Sequence, residues 1–161
     1  MDFSKIQLLL LDVDGVLTDG SILIDSGGGE MKRFFVRDGS AMVAWQKLGL
    51  DLGVITGRPS QVTTHRLGEL GVRHVAQCGA MSKPQAYENL CGRLGVQDDQ
   101  CAYVGDDWAD LAVMKRVAYP IAVADGAEQV RQAARYVTSA PGGRGAVREA
   151  IEHLLKSMGR Y

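Results

Sequence analysis

Leu8-Leu9-Leu10-Leu11-Asp12-Val13-Asp14-Gly15-Val16 is the stretch on which the fold turns. Leucines in an unbroken run, with no polar alternation, read as a strand buried on both faces, as at the centre of a parallel sheet. Two carboxylates follow at its end. Residues at i and i+2 of a strand point to one side. Asp12 and Asp14 are therefore expected to share one patch at the strand's carboxyl end, unless the chain turns between them. Gly15 lets the chain leave the sheet. Unpaired charge beside an apolar core is costly, and a divalent cation would offset it.

Downstream, strands alternate with helices. Gly20 to Ile24 and Glu30 to Val36 read as a β-hairpin around the turn Asp25-Ser26-Gly27-Gly28-Gly29. A helix is expected over Ala41 to Leu48, ended by Gly49. Asp51 to Ile55 reads as a buried strand. Pro59 suits the first turn of the helix that runs to about Leu70. Arg73 to Ala76 is a short strand, and Lys83-Pro84 opens a helix to Leu94. Ala102 to Val104 is a strand, Asp107 to Val117 a helix, Tyr119 to Val123 a strand, and Ala127 to Ala134 a short helix. Tyr136 to Thr138 is a last strand. Gly142-Gly143-Arg144-Gly145 leads into an amphipathic helix, Ala146 to Met158. The alternation predicts an α/β fold: a three-layer, Rossmann-like parallel sheet around a five-stranded core, helices on both faces, a projecting hairpin, and one domain over 1–161. In such sheets ligands bind at the carboxyl ends of the strands, where strand order reverses.

Composition narrows the classes. A net charge of -1 provides no field that favours nucleic acid or an anionic membrane. Three cysteines, Cys78, Cys91 and Cys101, lack metal-like spacing and fit a reducing compartment. The histidines His65, His74 and His153 are scattered and read as surface or packing residues. No membrane span or cleavable leader is visible, so a cytoplasmic location is expected.

The polar residues that interrupt apolar strands fall at carboxyl ends: Asp12 and Asp14, Thr56-Gly57, and Asp106-Asp107, with Lys83 opening a helix after a fourth strand. Singly, each has a plain structural explanation. Asp107 or Thr56 could cap a helix, and Lys83 could be a solvated charge. Jointly, acids, a hydroxyl and a lysine on one rim suit magnesium and phosphate.

In those motifs the chain resembles the haloacid dehalogenase superfamily of phosphotransferases. The matching residues are Asp12-Val13-Asp14-Gly15-Val16, Thr56-Gly57, Lys83, Gly105-Asp106-Asp107 and Asp110. Val36-Arg37-Asp38-Gly39, Ile55-Thr56-Gly57-Arg58, Ala102-Tyr103-Val104-Gly105-Asp106-Asp107 and Gly142-Gly143-Arg144-Gly145-Ala146-Val147-Arg148-Glu149 resemble its capless branch. That branch acts on 2-keto-3-deoxy sugar acid phosphates such as 3-deoxy-D-manno-octulosonate (KDO) 8-phosphate, in lipopolysaccharide synthesis, and on nine-carbon relatives. The resemblance implies Asp12 as nucleophile, ionised without help at a normal carboxylate pKa. It implies Asp14 as general acid and base. It implies Thr56, Gly57 and Lys83 as phosphate holders. It implies Mg²⁺ on Asp12, Asp106 and the Asp14 carbonyl, with Asp107 and Asp110 behind them, orienting Lys83 and metal-bound water. Substrate contacts are implied at Asp14, Phe35, Val36, Arg37, Asp38, Gly39, Gly57, Arg58, Arg66 and Lys83. Arg144 is a further guanidinium candidate for the carboxylate of a sugar acid.

No stretch between motifs is long enough for a cap domain. The branch closes its sites by forming tetramers, and the same is expected here, with neighbours' hairpins and C-terminal segments covering each mouth. Val43 and the spacing from Gln77 to Lys83 depart from the branch pattern and bear on which sugar acid is taken. A non-catalytic oligomerisation module is the alternative of a different class. A response-regulator receiver is disfavoured, because here the second acidic pair follows the lysine.

Overall fold

The computed structural model describes residues 2–79 and 81–161. In chain order the elements are β1 (Leu8–Leu11), β2 (Leu23–Ile24), β3 (Glu30–Met31), α1 (Val36–Lys47), β4 (Asp51–Thr56), α2 (Gln61–Glu69) and β5 (His74–Gln77). There follow α3 (Lys83–Leu94), β6 (Cys101–Gly105), α4 (Leu111–Met114), β7 (Tyr119–Ala122), α5 (Glu128–Ala133), β8 (Tyr136–Val137) and α6 (Ala146–Ser157). The main sheet has six strands in the order β5-β4-β1-β6-β7-β8, where a five-stranded core was expected. Every pairing in it is parallel. β2 and β3 form a separate antiparallel hairpin.

The leucine run is buried on both faces because its side chains alternate between two cores. Leu9 and Leu11 pack with Met42 and Trp45 of α1 and with Val147, Ile151 and Leu154 of α6. Leu8 and Leu10 pack with Tyr87 and Leu90 of α3 and with Val113, Met114 and Val130. Each fully buried leucine contributes about 1.5–3 kcal/mol relative to an exposed one. β1 lies between β4 and β6, so strand order reverses at the end of β1.

Several boundaries differ from the sequence reading. α1 begins at Val36, so Arg37, Asp38 and Gly39 lie in its first turn. Pro59 lies outside α2, whose N-cap is Ser60, its hydroxyl accepting from the Thr63 amide. Ser82 caps α3 in the same way, Pro84 sits in its first turn, and Gly95 ends it at φ 68°. The helix expected over 107–117 is a 3₁₀ turn, Trp108–Asp110, followed by the four-residue α4. His153 is a packing residue, stacked on Tyr136 at 3.9 Å between ring centroids. Among the described residues no helix is long and apolar enough to cross a membrane.

Candidate active site

Register carries three motifs to one rim. Leu11 pairs with Val54 and with Val104. One step further along, Asp12 leaves β1 beside the ends of β4 and β6, and its amide donates to the Val104 carbonyl at 3.1 Å. Thr56 closes β4, and Asp106 follows β6.

The chain then turns sharply. The Val13 carbonyl accepts from the amides of Val16, Leu17 and Thr18. Asp12 and Asp14 therefore do not share a strand face. Asp12 turns inward, where one oxygen accepts from the Val13 amide at 2.7 Å and the other meets Lys83 Nζ at 2.8 Å. Asp14 turns toward the hairpin, where its carboxylate is ion-paired with Lys32.

Lys83 is not a solvated charge. Its side chain is 8% exposed and its ammonium bridges Asp12 and Asp110 Oδ1, the second at 2.7 Å. Burial alone would lower its pKa, but the two carboxylates raise it overall. Asp110 is wholly buried, and both its oxygens are used. Oδ1 accepts from Lys83 and from the Tyr103 hydroxyl at 2.6 Å. Oδ2 accepts from the amides of Asp106 and Asp107. Asp110 thus holds Lys83 and shapes the turn. Asp107 is exposed at the start of that turn, and no contact joins it to Lys83 among the described residues.

Asp106 is the frustrated group. Its Oδ1 is buried and has no partner among the described residues. Oxygens of Asp12, Asp106 and Asp110 lie within 4.8 Å of one another. Burial, with Asp12 and Asp110 close by, pushes Asp106 up to about 8. Burial and Asp110 push Asp12 up to about 6 against the pull of Lys83. Asp12 is thus ionised near neutrality, though not at the ordinary carboxylate value expected from sequence. An orphaned carboxylate oxygen beside a second carboxylate is an oxygen donor set of the kind that suits Mg²⁺. Asp110 has no oxygen left to give, so the fit rests on Asp12 and Asp106.

Glycines hold this arrangement by close approach. A Cβ on Gly15, where φ is 93°, would sit 2.0 Å from Asp106 Oδ2. A Cβ on Gly142 would sit 1.8 Å from the Gly15 carbonyl oxygen, and the Gly143 amide donates to the Val16 carbonyl. The loop 142–145 is therefore the brace behind the turn at 13–18.

The other expected residues divide. Thr56 is buried, with its hydroxyl accepting from the Arg58 amide at 3.4 Å. Gly57 lies against Lys83, whose Cε would be 3.9 Å from an added Cβ. Arg58 is half-buried and ion-paired with Glu30. Val36, Arg37 and Arg144 are exposed, and Phe35 is half-buried near Gly145. Asp38 is not brought to the rim. It is 1% exposed and caps α6, accepting from the amides of Gly145 at 3.2 Å and Arg148 at 2.8 Å. Arg66 folds inward, over the Phe34 ring and beside Gly39, and pairs with Glu69. Val43 is half-buried on α1, and the Gln77 to Lys83 spacing includes position 80, outside the described residues. Glu30, Lys32 and Tyr103 were not anticipated. Glu30 and Lys32 alternate with exposed Met31, a period-two signal, but nothing local says that their side points into the site.

A parallel sheet with acids at two carboxyl ends and a threonine at a third, a buried lysine between the acids and a glycine brace define a class, and comparison agrees with it. The model of the haloacid dehalogenase-like hydrolases matches residues 78–151, and the chain belongs to that family. Its relatives there include the KDO 8-phosphate phosphatase KdsC of Escherichia coli K12, 41% identical over 97% of this chain and 82% of that protein. The Yersinia pestis KDO 8-phosphate phosphatase superposes with a TM-score of 0.95 at 40% identity, covering 99% of this chain and 85% of that one. The Moraxella catarrhalis phosphatase, solved with magnesium, phosphate and KDO, superposes with a TM-score of 0.94 at 40% identity, covering 98% of this chain and 90% of that one.

Proposed function

We propose that this protein is a Mg²⁺-dependent phosphatase that hydrolyses KDO 8-phosphate to KDO and phosphate. The relatives named above support the substrate. One observation carries the chemistry: the partnerless buried Asp106 oxygen stands beside an Asp12 whose other neighbour is Lys83.

In this reading Asp12 is the nucleophile. The Val13 amide fixes one of its oxygens and Lys83 neutralises the other, which holds the carboxylate in one orientation at the end of β1. The bond from phosphorus to the sugar oxygen breaks as the bond to Asp12 forms, and Asp14 gives its proton to the leaving oxygen. Asp14 then takes a proton from the water that cleaves the aspartyl-phosphate. Thr56, the Gly57 amide and Lys83 hold the phosphoryl oxygens. Bound to Asp12, Asp106 and the Asp14 carbonyl, Mg²⁺ would neutralise charge between carboxylate and phosphate. Phe35, Val36, Arg37, Gly39, Arg58 and Arg66 are the candidate substrate contacts, with Asp38 acting through α6. The chain works as one cytoplasmic domain. It assembles as a homotetramer through the hairpin, where Ile22, Leu23, Ile24 and Met31 are exposed.

Phosphate release from a panel of eight- and nine-carbon sugar acid phosphates, ranked by kcat/KM with Mg²⁺, tests the substrate. Asp12→Asn must abolish release. Equal background release by both proteins would favour a non-catalytic module, and a monomer with full activity would sink the tetramer.

A further inference from the structure

The hairpin reaches into the mouth with two charges. The Lys32 side chain is only 2% exposed, and it lies against Asp14 and 3.7 Å from Glu30. Glu30 is the hub. One of its oxygens pairs with Arg58 Nη1, and the other accepts from the Ser60 hydroxyl at 2.6 Å. Ser60 is buried and caps α2. The Ser60 amide donates to Gln77 Oε1, and Gln77 Nε2 donates to Thr64 at 2.7 Å. Ser60 and Arg58 together hold the Glu30 carboxyl below its usual range.

Among the described residues this network ties the Arg58 guanidinium from one edge, at Nη1. A guanidinium offers five N–H donors in a planar fork, and Glu30 is in contact with Nη1. The hairpin's opposite side, with the pair Leu23 and Met31, faces solvent. The acidic residue on β3 points the other way, to Arg58 and Ser60. It fixes a cation that stands two residues past Thr56.

We propose that Glu30 is a positioning residue for substrate selection. It holds the Arg58 guanidinium by one edge, so that the free edge meets the carboxylate-bearing part of the sugar acid. The proposal rests on the reading of the protein as a sugar acid phosphatase. Selectivity for the acid is then set from the hairpin, through a residue that touches neither phosphate nor metal ligand.

The test compares KDO 8-phosphate with acetyl phosphate, which has a phosphoryl group but no distant carboxylate. For Glu30→Gln, kcat/KM for the sugar acid ester falls on the order of 10-fold more than for acetyl phosphate, mostly through KM. Glu30→Asp recovers part of the ratio. Ser60→Ala, which removes the cap hydroxyl, lowers the melting temperature and shifts the ratio less than Glu30→Gln does. Equal losses on both substrates would make Glu30 a purely structural tie and overturn the proposal. A fall in KM for KDO 8-phosphate would also overturn it, because Glu30 would then only mask the guanidinium. Failure of the wild type to hydrolyse KDO 8-phosphate while acetyl phosphate is turned over would instead defeat the substrate reading. Should Glu30→Gln not fold, the Arg58→Lys ratio measured with and without Glu30→Asp decides: additive losses refute the coupling.

Discussion

Asp106→Asn should make the metal-free protein more stable at alkaline pH while removing its response to Mg²⁺. Burial, Asp12 and Asp110 raise the Asp106 carboxyl from 3.8 to about 8. A carboxyl raised in the fold contributes stability that is full below its unfolded pKa and is lost as pH rises through the folded one. The loss therefore runs from about pH 4 to pH 8. Each pKa unit corresponds to about 1.36 kcal/mol, so the difference of about 4 units sets a ceiling of roughly 6 kcal/mol. Asp106 is only half-buried and Lys83 pulls the other way. Water and that cation screen much of the sum, leaving about 2 kcal/mol. In a chain of this length that is about 4–8 °C in melting temperature. Asparagine keeps the shape against Gly15 and carries no charge. Thermal unfolding in EDTA at about pH 8.5 should show the variant above wild type, with the gap shrinking toward about pH 4. With Mg²⁺ at a hundredfold its Kd, wild type should gain about 2.7 kcal/mol and the variant far less. A variant less stable than wild type in EDTA at alkaline pH, or one with an undiminished Mg²⁺ gain, would refute the reasoning.

Lys83→Met leaves Asp12 and Asp110 buried without their shared cation. Phosphate release should fall by on the order of 10²–10³, and denaturant unfolding should show a loss of about 3 kcal/mol. Asp38→Ala orphans the Gly145 and Arg148 amides at the start of α6. Urea titration should place it about 1–2 kcal/mol below wild type. Gly142→Ala puts a methyl 1.8 Å from the Gly15 carbonyl oxygen. It should lose phosphate release while keeping its far-UV circular dichroism, and an active variant would show that the brace is dispensable.

The centre of the site was legible because it breaks a pattern. Asp12, Thr56 and Asp106 end apolar strands, and parallel register brings such ends together. Lys83 was legible as a helix opener, though not as a buried bridge. What stayed hidden depends on partners distant in sequence. Asp38 caps a helix 107 positions away, and no local signal marks that bond. Asp38-Gly39 reads as a helix boundary, yet α1 runs through it. Gly39 is buried inside that helix, beside the Arg66 guanidinium and Leu70, a tertiary setting that overrides propensity. The helix expected from Asp107 tightens into a 3₁₀ turn because Asp110 spends its carboxylate on the amides of Asp106 and Asp107 and on Lys83. The inward face of the hairpin was hidden for another reason. Charges on a projecting strand ordinarily face water, and only the docked geometry shows Lys32 buried.

Charge balance links these features. Were all three ionised, Asp12, Asp106 and Asp110 would face one ammonium, Lys83, with an excess of two negative charges, which is why burial and its neighbours push Asp106 up to about 8. Among the described residues no further cation reaches the three acids. Lys32 is held by Asp14 and Glu30, and Arg58 by Glu30. A divalent cation would let Asp12 and Asp106 ionise together. The same sum explains why apolar strands on both sides must be so well packed. A cluster that destabilises its own fold in the absence of metal survives only where β1, β4 and β6 hold its residues in place. Packing at Leu8–Leu11 and the crowded acids at Asp12 and Asp106 are therefore one design. The leucines supply the free energy that lets the acids stay close, and the closeness gives the cation its site.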